Sequence, residues 1–168
     1  TPEAAEPVPV EQEHTALITF TTGSSGTPKG ADRSHRFLAA QHYAIDSCLP
    51  YEKSNLDLPV FPIFSLNNLA AGVTTILPAI NVAEPADNDA YVLYTQITGE
   101  NITTLTLNPS LLNGLNKYCL EKGKTLPGLR RVAAGGAAVS RDVVEEFKKI
   151  APNAELVVMY GSTEAEDR

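Results

Sequence analysis

A chain of 168 residues is long enough for one domain, and folding at that length buries roughly 70% of the surface the unfolded form exposes. Thirteen Lys and Arg against twenty Asp and Glu leave a net charge of −7, and no basic run exceeds Arg130-Arg131 or Lys148-Lys149, which excludes a nucleic-acid footprint. No apolar stretch approaches the roughly 20 residues of a membrane span, and the first residues lack the regions of a signal peptide, so a cytoplasmic protein is expected.

Residues 1–13 hold three prolines and four glutamates with almost no periodicity, and read as a linker or irregular lead-in to an α/β subdomain over 14–168. Residues 17–20, Leu-Ile-Thr-Phe, have strand character and run into a loop rich in glycine and hydroxyl side chains. That loop has little apolar area to pin it, so residues 22–30 are expected to be loosely held without a ligand. The next run, 34–49, has helical spacing in Phe37, Leu38, Ala44, Ile45 and Leu49, with Ser34 as N-cap and Pro50 as terminator.

From Asp57 to Pro78 two near-continuous apolar strands flank a short helical turn around 67–72, a pattern that suits a buried sheet. A helix over 87–97, capped by Asp87, is expected to pack Tyr91, Tyr94 and Ile97; a strand over 102–107 follows. Asn108-Pro109 supplies an N-cap and a first-turn proline to a helix whose apolar stripe is Leu111, Leu112, Leu115, Tyr118 and Cys119, and Gly123 closes it. A strand over 129–134 ends at Gly135-Gly136-Ala137. Ser140 caps a helix over 141–150 with Asp142 early and Lys148-Lys149 late, as the helix dipole prefers, and 155–159 is a last strand. Strands alternating with helices predict an α/β fold, a mainly parallel sheet with helices on both faces. Cys48 and Cys119 lie in partly apolar helical contexts without paired spacing and read as reduced packing residues.

Ligands of such sheets bind beyond the carboxyl ends of the strands, and three segments lie there. The first is the loop after Phe20: Thr21, Thr22, Gly23, Ser24, Ser25, Gly26, Thr27, Pro28, Lys29, Gly30. Glycines let successive N–H groups point into one concavity, hydroxyls add donors and Lys29 adds a cation, so an oxyanion with several acceptor oxygens is the natural guest. A mobile linker or a hairpin turn holding a chance lysine is the bland alternative. Spacing excludes the Walker loop, which needs Gly-Lys followed by Ser or Thr, and G-x-G-x-x-G is absent. The other two segments are Gly135-Gly136-Ala137, where a bare backbone admits a flat ligand, and Tyr160-Gly161-Ser162-Thr163-Glu164.

The sequence T-x-G-S-S-G-T-P-K-G resembles the phosphate loop of the adenylate-forming (AMP-binding) enzymes, and Tyr-Gly-x-Thr-Glu downstream resembles a second hallmark of that superfamily. Acyl-CoA synthetases, fatty acyl-AMP ligases, peptide synthetase adenylation domains, luciferases and β-lactone synthetases belong to it. Carried over, the resemblance implies that residues 22–27 and Lys29 cradle phosphate and that Gly135, Gly136 and Ala137 line the adenine side. It also implies that Tyr160 stacks on adenine within Tyr160-Gly161-Ser162, that Thr163 contacts the α-phosphate, and that Glu164 holds Mg²⁺. The chemistry suits these roles: an aromatic face for a base, a hydroxyl for phosphate, a carboxylate for a hard cation. Lys29, Thr163 and Glu164 are the implied catalytic residues. His35 matches a histidine the family often has after the loop, and reads here as a helix-start residue.

Many CoA ligases carry Pro-x-Phe-His after the first helix, where this chain has Pro62-Ile63-Phe64-Ser65. Residues 62–78, 126–132 and 163–166 look most like the branch of fatty acyl-AMP ligases and bacterial olefin β-lactone synthetases. The implied reaction is attack of a carboxylic acid, fatty or β-hydroxy fatty, on ATP to give acyl-AMP and pyrophosphate. Transfer to a thiol such as CoA, or intramolecular closure, would follow. A nucleotide-binding piece without catalysis, or a peptide synthetase adenylation domain, is the alternative. The resemblance also implies that further domains of the same parent chain complete the site, and that this piece folds yet is catalytically inert.

Overall fold

In the computed structural model, which describes residues 6–22 and 28–161, two units separate at Pro50, one of residues 6–50 and one of 51–161. The first is a hairpin and a helix. Strand β1 (Thr15–Thr22) pairs antiparallel with β2 (Pro28–Ser34), setting Phe20 opposite Gly30, Thr21 opposite Lys29 and Thr22 opposite Pro28. A side chain at position 30 would crowd this pairing: its Cβ would stand 3.2 Å from Ile18 Cγ2 and 3.3 Å from Phe20 Cε1. Helix α1 (His35–Cys48) starts where the Ser34 hydroxyl accepts from the Phe37 amide, as the sequence predicts.

This hairpin corrects the sequence reading at two points. Residues 28–34 form a strand where the expected loop ran on to Gly30 and no element was expected at 31–33, and β1 pairs with that strand instead of joining the parallel sheet. The alternation that would have revealed β2 is muted, because its more buried positions are Ala31 and Arg33 between exposed Lys29, Gly30 and Asp32. The expected loop at 22–30 thereby narrows, with Thr22 and Pro28–Gly30 in strands; residues 23–27 lie outside the described residues.

The second unit is a five-stranded parallel sheet in the order β4-β3-β5-β6-β7, made by β3 (Leu56–Pro59), β4 (Thr74–Thr75), β5 (Thr104–Leu107), β6 (Arg131–Ala134) and β7 (Glu155–Val158). Helices α2 (Pro62–Ala71), α3 (Asp89–Gly99), α4 (Pro109–Glu121) and α5 (Arg141–Ile150) connect them. From β3 the chain steps outward to β4, then crosses back over β3 to β5 and proceeds to β7. Right-handed crossovers therefore put α2 on one face and α3, α4 and α5 on the other, and the direction reverses between β3 and β5. The expected fold class holds.

The core lies entirely in this unit: Leu58, Leu105, Leu107, Val132 and Ala134 of the sheet pack with Leu93, Leu112, Leu115, Phe147 and Ile150 of the helices. Local capping follows the sequence, since the Asn108 side chain accepts from the Leu111 amide at 2.8 Å and Ser140 from Val143 at 3.4 Å. Gly123 takes φ +59° after α4. Tertiary packing moved other features. Leu93 and Ile97 are the buried apolar residues of α3 while Tyr91 is exposed, and Asn88, not Asp87, stands at its N-cap. The turn expected at 67–72 is the end of a ten-residue helix, α2, and the strand expected at 73–77 contracts to Thr74–Thr75. Cys119 is buried as expected, but Cys48 is exposed.

Candidate functional site

Backbone hydrogen bonds continue the parallel ladder one residue past the strands. Val60 donates to Thr106 O at 2.7 Å, Gly135 to Leu107 O at 3.2 Å and Met159 to Ala134 O at 2.8 Å. Residues 60, 135 and 159 thus form one rim at the carboxyl ends of β3, β6 and β7, beside the reversal between β3 and β5. Gly135 fits closely there: a Cβ would stand 3.1 Å from both the Cβ and the carbonyl oxygen of Met159, which would have to give way by a few tenths of an ångström. Gly136 takes φ +86°, in the left-handed region that favours glycine, and faces the ring of Phe61. Tyr160, one residue beyond Met159, is 97% exposed, so its ring has a face free to receive a flat ligand.

The structure brings Gly135, Gly136, Ala137, Tyr160 and Gly161 to this rim of the 51–161 unit. Thr22 and Lys29 belong to the hairpin of the other unit, near its tip, with Lys29 exposed. Gly23, Ser24, Ser25, Gly26, Thr27, Ser162, Thr163 and Glu164 lie outside the described residues. Among the described residues no group of three or more His, Cys, Asp or Glu side chains is arranged to hold a metal ion. His35 is the first residue of α1, and its amide donates to His14 O at 3.1 Å, in keeping with a structural reading.

One rim residue escaped the sequence reading. Phe61, at the N-cap of α2, turns its ring towards Gly136, with Phe64 6.3 Å away. The sequence signal was the apolar run 58–64, taken as strand, whose second proline starts a helix instead. A glycine backbone edged by the Phe61 ring leaves an apolar surface on which a planar group can lie.

The opposite end of the strands holds a buried carboxyl group. Asp57 is 0% exposed and accepts from Asn68 Nδ2 at 2.7 Å, Thr104 Oγ1 at 2.5 Å and the Tyr51 hydroxyl at 3.3 Å. Burial raises its carboxyl above the ordinary value of 3.8, against the opposing pull of these donors and of Arg131. Burial and the neighbouring Asp57 likewise raise the Tyr51 phenol, whose ring lies 4.8 Å from the Arg131 guanidinium.

Comparison with known proteins adds three findings. Olefin beta-lactone synthetase of Stenotrophomonas maltophilia is 36% identical over 153 residues, covering 90% of this chain and 27% of that protein. Long-chain-fatty-acid–CoA ligase of Thermus thermophilus is 31% identical over 166 residues, covering 96% of this chain and 30% of that protein. Among solved structures, VinN in complex with L-aspartate superposes with a TM-score of 0.82 at 22% identity, over 96% of this chain and 41% of that one, a likeness of fold. The chain thus spans less than a third of the length of these two curated relatives. The model of the AMP-binding enzyme family matches residues 1–166, nearly the whole sequence, and the chain belongs to that family.

Proposed function

We propose that the protein containing this chain activates a carboxylic acid with ATP. A carboxylate oxygen attacks the α-phosphorus, the bond to the bridging oxygen breaks, and acyl-AMP and pyrophosphate leave. The observation that carries the reading is the rim at Gly135, Gly136 and Tyr160 in a chain of the AMP-binding enzyme family: bare backbone and an exposed ring suit adenine at the ends of parallel strands.

Carboxylate and triphosphate repel each other, so catalysis depends on holding them together and neutralising charge. Lys29 and the amides and hydroxyls of Thr22, Gly23, Ser24, Ser25, Gly26 and Thr27 are proposed for the phosphates, and Thr163 for the α-phosphate. Glu164 is the proposed ligand of Mg²⁺, which would offset phosphate charge when bound; a carboxylate is the donor such a hard cation prefers. Gly161 and Ser162 complete the nucleotide side beside Tyr160, and Ala137 continues the adenine face of Gly135 and Gly136.

The acid is proposed to be a fatty or β-hydroxy fatty acid, given the names of the two curated relatives, with transfer to a thiol such as CoA or ring closure as the second step. Two unpaired cysteines fit the reducing cytoplasm. We assign the activity to the full-length parent, whose further domains would complete the cleft. For the 168-residue chain we expect no turnover and a nucleotide dissociation constant near millimolar, about −4 kcal/mol. ATP–pyrophosphate exchange by the parent across a panel of carboxylic acids tests the reading; acid-independent exchange, or none with any acid, refutes it.

A further inference from the structure

Helix α2 is built inside out. Its buried residues are Asn67 and Asn68, while Leu66 and Leu69 are 51% and 72% exposed, so it contributes no buried apolar side chain to the core. Its tie to the sheet is polar. Asn68 Nδ2 donates to Asp57 Oδ2 at 2.7 Å, with both residues 0% exposed. Asn68 Oδ1 makes no hydrogen bond among the described residues, which leaves the contact with Asp57 as the tether of this side chain. Asp57 is itself held from two further sides, by Thr104 of β5 and by Tyr51 ahead of β3. A buried contact of this kind is directional, and sliding the helix would leave the Asn68 amide unpaired in the core and strip one donor from Asp57.

The two ends of α2 lie at opposite ends of β3. Asn68, near the helix C-terminus, meets Asp57 in the first half of the strand; Phe61, at the N-cap, meets Gly136 at the rim. We infer that Asp57 and Asn68 are a positioning pair for the rim, locking α2 along its axis so that Phe61 stays against Gly136 and holds the wall of the adenine side in place. This inference rests on the adenylation reading for its effect on substrate, but not for its effect on Phe61.

The test uses the full-length parent with Asp57→Asn, Asn68→Ala and the exchanged pair Asp57→Asn/Asn68→Asp. Asn116→Ala is the control, since Asn116 is equally buried and bonds Val143 O at 2.9 Å, away from α2. Each single change at the pair should raise KM for ATP by about tenfold and leave KM for the acid unchanged, the exchanged pair should restore it, and the control should not move it. In protein labelled with 4-fluorophenylalanine, the Phe61 resonance, identified by its loss in Phe61→Leu, should shift in the single variants and return in the exchanged pair. A parallel rise in both KM values, or an exchanged pair that restores nothing, overturns the inference, as does a Phe61 signal that never moves. Lack of exchange by the wild-type parent refutes the adenylation reading alone, and the fluorine signal still decides the positioning pair.

Discussion

Gly136 faces the ring of Phe61: at φ +86°, a Cβ on residue 136 would lie 3.6 Å from Phe61 Cζ. That distance is ordinary contact, so alanine at 136 would be resisted by backbone conformation and not by the ring. Gly136→Ala should cost about 1–2 kcal/mol. Gly135→Ala should cost more, because its Cβ would stand 3.1 Å from the Met159 backbone oxygen, which cannot turn aside. Gly128→Ala, with no atom within 4 Å and no positive φ, should be neutral. Urea midpoints of the three variants check the order.

The division at Pro50 predicts unequal folding. Every member of the core cluster falls in the second unit, whereas among the described residues of 6–50 only Arg33 and Leu49 are buried. A lone two-stranded hairpin is marginal in water, so a peptide of residues 6–50 should show no cooperative melt, and one of 51–161 should melt cooperatively. Circular dichroism on the two peptides gives the answer; a sharp transition in the first would contradict the assignment of the core.

The two thiols should differ in reactivity. Cys48 is exposed, while Cys119 is 0% exposed and burial pushes its thiol up to about 11. Alkylation near pH 8, followed by mass spectrometry, should modify Cys48 in native protein and reach Cys119 only after unfolding. Equal labelling of both would mean that α4 opens readily.

Asp57 should make stability depend on pH in an uncommon direction for a carboxylate. Its folded value lies above the ordinary 3.8, so the unfolded chain ionises first. Its contribution is full below 3.8 and is lost as pH rises through the folded value. The urea midpoint of wild type relative to Asp57→Asn should therefore fall as pH rises from 3.8. A difference that grows with pH would show an ionised Asp57 stabilised by Tyr51, Asn68, Thr104 and Arg131.

In the full-length parent, Lys29→Ala and Glu164→Ala should each lower ATP–pyrophosphate exchange by about a hundredfold or more while leaving the melting temperature unchanged. Lys29 is exposed near the hairpin tip, so its loss removes charge without opening a core. Near wild-type exchange in both would exclude the proposed phosphate and metal roles.

What the sequence by itself determined is local or periodic. Asn108 and Ser140 are legible as caps because a cap is satisfied within three residues. The order of the parallel sheet's elements is legible because buried strands and intervening helices write different periods. The glycine- and hydroxyl-rich run at 21–30 is legible by composition, and Tyr160-Gly161 by its resemblance to a family motif. Tertiary structure alone decided that β1 turns back on β2, since the pairing of Phe20 with Gly30 has no apolar counterpart in residues 28–34. It also decided that α2 turns its asparagines inward, because a carboxylate buried in β3 offers an acceptor that no spacing rule contains. Phe61 became a rim residue for the same reason. Its place depends on a glycine seventy-five positions away in the chain, and a contact across that separation exists only after the sheet has assembled.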